Sequence, residues 1–403
     1  MAKSSDVPGN GPLSGLKIYS TGQNLAQPFA AALAAAWGAD VINSENTTIK
    51  CPSRLQKYWF EVTHRNMREI ALNIPTPEGR EIFTKLIKWC DIWMESSKIG
   101  TYEKWGLSDE YIWSINPKCV ILHVSGFGQF GEPDYISRAA NDATGQAFSG
   151  YLQFQGSPEM PILNKPATCD IITALYALNS CLAAYIKAQQ TGKGESIDLA
   201  MFEAMFDVSA FRAPQAFNDG VVPVRDGSWS PRIAGWSMYQ CKDGNWINFS
   251  PGGGVATVQR LLTEFGFQDD PDFDPKWIAV PRGGPAEVKI EGKIKELCET
   301  LTAEEFDALM GRIQVPCSMI MTYEQIMENK HYEARGDIVE WFDPGYGKNM
   351  KGFAFVPKFT NNPTQIWRGA PTFGMDNDDI LEELGYSADE ISALYEKKIV
   401  NKD

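Results

Sequence analysis

Leu16–Thr21 (L-K-I-Y-S-T) and Asp40–Glu45 (D-V-I-N-S-E) each carry the short apolar-rich pattern of a strand. Between them, Pro28–Gly38 is alanine-rich and predicts a helix, with Pro28 in its first turn. After a polar connection, the pattern predicts a strand over Glu69–Ile74, a helix over Pro77–Trp89 and a strand over Asp91–Ser96. A helix over Ser108–Asn116 and a strand over Cys119–Ser125 follow. This alternation predicts parallel β-α-β units with right-handed crossovers. Helical periodicity continues over Ala139–Leu152 and Ile171–Gln190. The second of these has no formal charge before Lys187 and is apolar around nearly its whole circumference, the pattern of a helix wrapped by protein.

Near residue 210 the texture changes. Ala213–Gly235 is rich in Pro, Gly, Asn and Asp and reads as a loop or linker. Ser237–Cys241 and Trp246–Ser250 flank K-D-G-N, an Asp-Gly hairpin signal. Helices are predicted over Thr257–Phe265, Ala286–Leu301 and Glu304–Ile313. From about Gly352 the chain returns to strand and extended loop, then two terminal helices, Asn377–Leu384 and Ala388–Lys398. The expected fold class is α/β. A large Rossmann-like parallel-sheet domain takes residues 1–210 and 345–403, and a smaller α+β domain takes 225–330.

Composition narrows the function. A net charge of −14 argues against nucleic acid, whose phosphates require a basic footprint, although a local basic pocket for a small anion remains compatible. The polar N-terminus lacks the apolar core of a signal peptide, and the longest apolar run, Phe29–Trp37, is too short for a membrane span. Eight scattered cysteines with no C-x-x-C fit reduced thiols in a cytoplasm. Three separated histidines, at 64, 123 and 331, leave little for a metal site or a histidine-based triad.

Three strand or helix ends carry candidate chemistry. T-G-Q-N-L-A after the first strand lacks G-x-G-x-x-G, which excludes a nicotinamide fingerprint. S-G-F-G-Q-F-G-E-P (Ser125–Pro133) follows a strand at its C-terminal end, where open α/β sheets place ligands, and Gly126 and Gly128 let backbone approach one. E-S-S-K-I-G (Glu95–Gly100) offers Lys98 to an anion, or simply to solvent. Asp170 stands where N-K-P-A-T-C-D turns apolar. It reads as a helix cap, as a nucleophile, or as both, since a helix start holds a carboxylate ionised. Cys169 reads as a small hydrophobe rather than a thiolate. Trp229 and Trp236, on a Gly/Pro/Asp loop, fit a substrate wall.

These strings resemble the family III CoA-transferases, the CaiB/BaiF family, over almost the whole chain. The resemblance rests on G-P-L-S-G-L-K-I, W-G-A-D-V-I, H-R-N-M-R-E-I-A-L-N-I, K-W-C-D-I-W-M-E-S-S-K, H-V-S-G-F-G-Q-F-G, G-Q-A-F-S-G-Y, T-G-K-G-E-S-I-D-L-A-M and Q-I-W-R-G-A-P-T-F-G-M-D. It points to the branch acting on carnitine-type and bile acids. The resemblance implies an interlocked homodimer with coenzyme A thioesters as substrates. It makes Asp170 the nucleophile, forming an acyl anhydride and then an aspartyl-CoA thioester, and Lys98 the CoA contact. The family's second basic contact falls on Trp105, leaving Lys104 as its substitute; the family's A-G-P is Ala26-Gln27-Pro28 here. Arg65, Gly126 and Gly128 complete the candidate CoA set; Trp229, Trp236 and Gln146 are the substrate candidates.

Two rival activities are weighed. A racemase of this fold uses a Gly-His-Asp motif, but the matching place reads Ala140-Asn141-Asp142, and an amide is no base near neutral pH. A non-catalytic CoA-binding protein would not need Asp170. Among acceptors, carnitine, γ-butyrobetaine or crotonobetaine are slightly favoured over a bile acid.

Overall fold

The computed structural model describes residues 2–403. They form two compact units, one comprising the chain up to Tyr151, Asn164–Asp219 and His331–Asp403, the other Leu152–Leu163 and Gly220–Lys330.

The first unit opens with β1 (Lys17–Ser20), α1 (Ala26–Ala36), β2 (Asp40–Glu45), α2 (Lys57–His64) and β3 (Arg68–Ala71). It continues through α3 (Pro77–Trp89), β4 (Ile92–Glu95), α4 (Thr101–Lys104), α5 (Asp109–Ile115) and β5 (Val120–Ser125). The short α6 (Pro133–Ile136) and α7 (Asp142–Phe148) precede the long α8 (Thr168–Thr191), β6 (Ser196–Ala200), α9 (Met201–Asp207) and α10 (Arg212–Asp219). All six strands pair in parallel, in the order β3-β2-β1-β4-β5-β6, so the winding reverses between β1 and β4.

Strand alternation buries the sheet on both faces. Ile18, Val41, Met94 and Leu122 pack with the alanines of α1 and with Ala177 and Leu178 of α8. Tyr19, Ile42, Trp93 and Ile121 pack with Phe83 and Leu86 of α3 on the other side. Local signals set the helix ends. Thr76 caps α3, its hydroxyl accepting from the Gly79 amide at 3.1 Å, with Pro77 at the first helical position.

After the second unit the chain forms an antiparallel hairpin, β10 (Ile338–Asp343) and β11 (Lys348–Phe353), then α16 (Asn377–Glu383) and α17 (Ala388–Glu396). The start of α16 covers the exposed edge of β3. Asp376 accepts from the Glu69 amide and Asn377 from the Ala71 amide, both at 2.9 Å, which blocks further strand pairing. Beneath it, the fully buried Arg68 forks onto Asp40 at 2.9 and 2.8 Å and reaches Glu383 at 2.8 Å.

The second unit holds an antiparallel sheet of β7 (Ser237–Gln240), β8 (Trp246–Phe249) and β9 (Cys317–Met319). Helices α11 (Val255–Phe265), α12 (Pro285–Thr300) and α13 (Ala303–Arg312) close its core around Ile247, Phe249, Leu261, Ile290 and Phe306. The short α14 (Tyr323–Glu328) ends this unit, and α15 (Lys330–Arg335) begins the chain's return to the first.

Three readings of the sequence need correction. Lys57–His64 is a helix where a polar connection was expected, and Arg212–Asp219 is a helix where a linker was expected. The 24-residue α8 is not enclosed in this chain. Cys169, Thr173, Ala177, Leu178 and Cys181 face inward, but Leu175, Tyr176 and Ile186 are exposed. By length and composition α8 could cross a membrane, yet its inner face is built into the sheet's core. All eight thiols are free.

Candidate active site

Asp170 is the third residue of α8, whose preceding residue, Ala167, adopts the left-handed conformation and supplies no side-chain cap. The free amides are capped from elsewhere. Asp142, first residue of α7, accepts from the backbone N–H of Cys169 at 2.7 Å and of Asp170 at 3.3 Å through one oxygen. Its other oxygen accepts from the Gln146 amide at 2.7 Å. Gln146 also donates to the Asn164 carbonyl at 3.0 Å and accepts from the Asn164 N–H at 2.9 Å. Asn141 in turn caps α7, accepting from the Thr144 N–H at 3.1 Å.

The Asp170 carboxylate receives no hydrogen bond from any described residue. Burial, and then the nearby charge of Asp142, push its pKa from 3.8 up to about 7. This corrects the expectation that the helix start keeps it ionised: the donors that would do so belong to Asp142. The result is a carboxyl that titrates near neutrality with both oxygens uncommitted. A cap in its own right it is not. Cys169 is buried, donates to the Met201 carbonyl at 3.4 Å, and is pushed by burial to about 12, so it is no thiolate.

The second feature lies at the reversal between β1 and β4, where doubly wound sheets bind ligands. A cavity of about 240 Å³ opens at the strands' C-terminal ends, lined by Thr21, Gln23, Ser44, Ser97, Tyr102 and Trp105 among others. Lys98 is the next residue after Ser97 of the cavity wall, exposed and with no ion-pair partner among the described residues. The rim is braced from below by a group that the sequence did not reveal. The Ser97 N–H donates to Glu95 at 2.6 Å, and the His123 ring lies 2.7 Å from Glu95 and 3.1 Å from Asp109. Burial works against a charge on His123, but the two carboxylates outweigh it and hold its pKa up at about 10.

The remaining candidates fall in several places. Lys104 is exposed at the end of α4, beside Trp105 on the cavity wall. Gly126 lets the loop after β5 meet Ala140, where an added Cβ would sit 2.1 Å from the alanine's own. Gly128 turns that loop at φ +88°, donating to the Ser125 hydroxyl at 2.8 Å. Arg65 is not at a ligand surface: it is buried with Trp341, Phe353 and Phe355 within 4.9 Å of its guanidinium, and burial lowers its pKa to about 10. Gln146 is buried with both amide hydrogens spent, which makes it a support for Asp142 rather than a substrate contact. Trp229 and Trp236 belong to the second unit, half-exposed, and Arg282 already stacks 4.3 Å from the Trp229 ring. Among the described residues no cluster of three or more metal-binding side chains occurs.

A doubly wound sheet with a crevice at its reversal, and an uncommitted carboxylate at a helix start, define an α/β protein built for small-molecule chemistry. Residues 13–377 match the model of CoA-transferase family III, and the chain belongs to that family of enzymes. It is 39% identical over 400 residues to the bile acid CoA-transferase BaiK of Clostridium scindens, covering 98% of this chain and 91% of that protein. It is 36% identical to the L-carnitine CoA-transferase of Proteus mirabilis, covering 98% of each. A crystal structure of a CAIB/BAIF family protein from Brucella suis superposes with a TM-score of 0.78 at 25% identity, over 93% of this chain and all of the other.

Proposed function

We propose that the protein moves CoA from an acyl-CoA thioester to a free carboxylic acid through covalent intermediates on Asp170. The observation that carries this reading is the uncommitted Asp170 carboxyl, raised to about 7, in a member of this family. One Asp170 oxygen attacks the thioester carbonyl, the C–S bond breaks, and CoA leaves as thiolate, giving a mixed anhydride. The thiolate then attacks the Asp170 carbonyl and expels the donor acid, leaving an aspartyl-CoA thioester. The acceptor carboxylate repeats the sequence in reverse and regenerates Asp170. A raised pKa suits this role, because a more basic carboxylate is the better nucleophile once ionised. Mass spectrometry after mixing with carnitinyl-, crotonobetainyl-, butyrobetainyl- and cholyl-CoA tests it. The expected result is a hydroxylamine-sensitive CoA adduct on the peptide bearing Asp170, and an adduct on any other residue overturns it.

The crevice at the sheet reversal, with Lys98 at its rim and Lys104 nearby, is the proposed seat of the CoA nucleotide. Lys98→Ala is expected to raise the thioester KM by roughly tenfold with kcat little changed; a fall in kcat at constant KM would move Lys98 into the chemistry.

The exposed apolar face of α8, together with Phe206, Phe211 and Phe217, supports a homodimer in which a second copy covers it. Light scattering at micromolar concentration is expected to give twice the chain mass, and a monomer would refute the assembly. The acceptor is a trimethylammonium acid or a bile acid.

A further inference from the structure

His123 lies on β5 directly across from Glu95, the last residue of β4, in the parallel register, and both side chains are buried. An ionised carboxylate accepts hydrogen bonds and donates none. An imidazole between two of them therefore satisfies both only when each of its nitrogens carries a hydrogen. His123 has that position. Its Nδ1 is 2.7 Å from Glu95 and its Nε2 is 3.1 Å from Asp109, the first residue of α5. The ring is thus an imidazolium, bonded to a carboxylate on either side. Asp109 has a second donor in the Ser196 hydroxyl of β6.

Glu95 carries this order to the crevice at the sheet reversal. Its Oε2 accepts from the Ser97 N–H at 2.6 Å, while its Oε1 faces His123. The residues on either side of Ser97 have tethers of their own. The Ser96 hydroxyl accepts from the Gln23 N–H at 3.2 Å, and the Lys98 carbonyl accepts from the Thr101 N–H at 3.1 Å. The Ser97 bond runs back to the sheet itself. Gln23 and Ser97 line the cavity wall, and Lys98 follows. A segment held in its binding form before the ligand arrives loses less freedom on binding, and the difference appears as affinity. Without a donor at Oε1, Glu95 would keep a buried oxygen unpaired, which favours its turning away from Ser97. Its charge would also stand three residues from Lys98 with no cation beside it, which opposes an anionic ligand.

We infer that His123 is a positioning residue for coenzyme A: through Glu95 it holds the Ser97–Lys98 segment in the form that receives the nucleotide. It acts from behind the cavity wall and takes no part in the chemistry at Asp170. The inference rests on the proposed seat of CoA at this crevice, but not on the covalent steps. Asparagine and glutamine at 123 separate the two ring contacts. The asparagine amide nitrogen falls where Nδ1 lies and keeps the Glu95 bond; the glutamine nitrogen falls near Nε2 and keeps the Asp109 bond.

Calorimetric titration of the intact protein with free CoA reads this without turnover. His123→Gln is expected to weaken CoA binding about tenfold, and His123→Asn, the conservative rescue, by no more than about threefold. Glu95→Ala removes the acceptor for Ser97 while leaving the ring paired with Asp109. It is expected to match His123→Gln, and so guards against a glutamine variant that fails to fold. In turnover, His123→Gln should raise the thioester KM by the same factor with kcat at saturation unchanged. A merely structural role predicts no such split, because each amide gives up one buried contact, and their urea midpoints should fall together. Equal CoA affinity in the two amide variants, whether intact or weakened, would overturn the assignment and leave the crevice as the CoA seat. A wild-type protein that binds no CoA would remove both. If the variants separate but no Asp170 adduct forms, the positioning role stands and the transfer mechanism falls.

Discussion

Replacing Asp170 by asparagine is expected to cut CoA transfer by at least about 10⁴-fold while leaving the fold intact. The amide is nearly isosteric but cannot form the anhydride, and α8 loses no cap because its amides are held by Asp142. A residual rate within tenfold of wild type would sink the nucleophile assignment. The pH profile gives a second reading of the same group. With Asp170 raised to about 7, activity should climb as pH rises through that value, because the ionised form attacks. Asp142→Asn removes one of the two causes of the shift, so the rising limb should move toward acid. A limb that stays in place would assign it to another group.

Arg68→Met should be the most damaging single change to stability, at about 3–5 kcal/mol. The guanidinium is fully buried, and its loss leaves Asp40, itself nearly buried, facing a thioether, while Glu383 loses its tether to the sheet. An exposed pair provides the control. Lys397 lies 2.9 Å from Glu78, but both side chains are well exposed and screened by solvent, and Lys397→Ala should leave the urea midpoint close to that of wild type. Urea unfolding of both variants separates the cases. A loss under about 1 kcal/mol for Arg68→Met would mean that water reaches the site and that the pair is effectively a surface one.

The parallel sheet was legible because strands buried on both faces must be apolar runs, and several were followed by a helix-period segment opened by a cap or a proline. Thr76-Pro77 is such a signal. Lys57–His64 escaped because K-Y-W-F-E-V-T-H is short, has no capping side chain before it, and mixes charged with aromatic residues. Arg212–Asp219 escaped because its proline, asparagine and aspartate are also the residues of loops. Asp170 itself was visible as an isolated acid before an apolar helix. Its state was not, since it depends on burial in the folded chain and on Asp142, 28 residues earlier. His123 escaped for the same reason: its two carboxylates come from β4 and α5, and nothing near it in sequence announces them.

The capping of α8 by Asp142 has a consequence for how this chain would drift. A carboxyl whose pKa is raised on folding stabilises nothing when ionised. Below about pH 4 it is protonated in both the folded and unfolded states, and from there to about pH 7 wild type progressively loses stability relative to a neutral side chain. Above that range the handicap reaches on the order of 4 kcal/mol. Since Asp142 already holds the helix end, asparagine at 170 escapes the handicap without uncapping α8. The most durable version of this chain is therefore an inert one. In a mutant library screened at pH 8 for heat resistance alone, position 170 should be among the first to change, and only a requirement for turnover would keep the aspartate in the population.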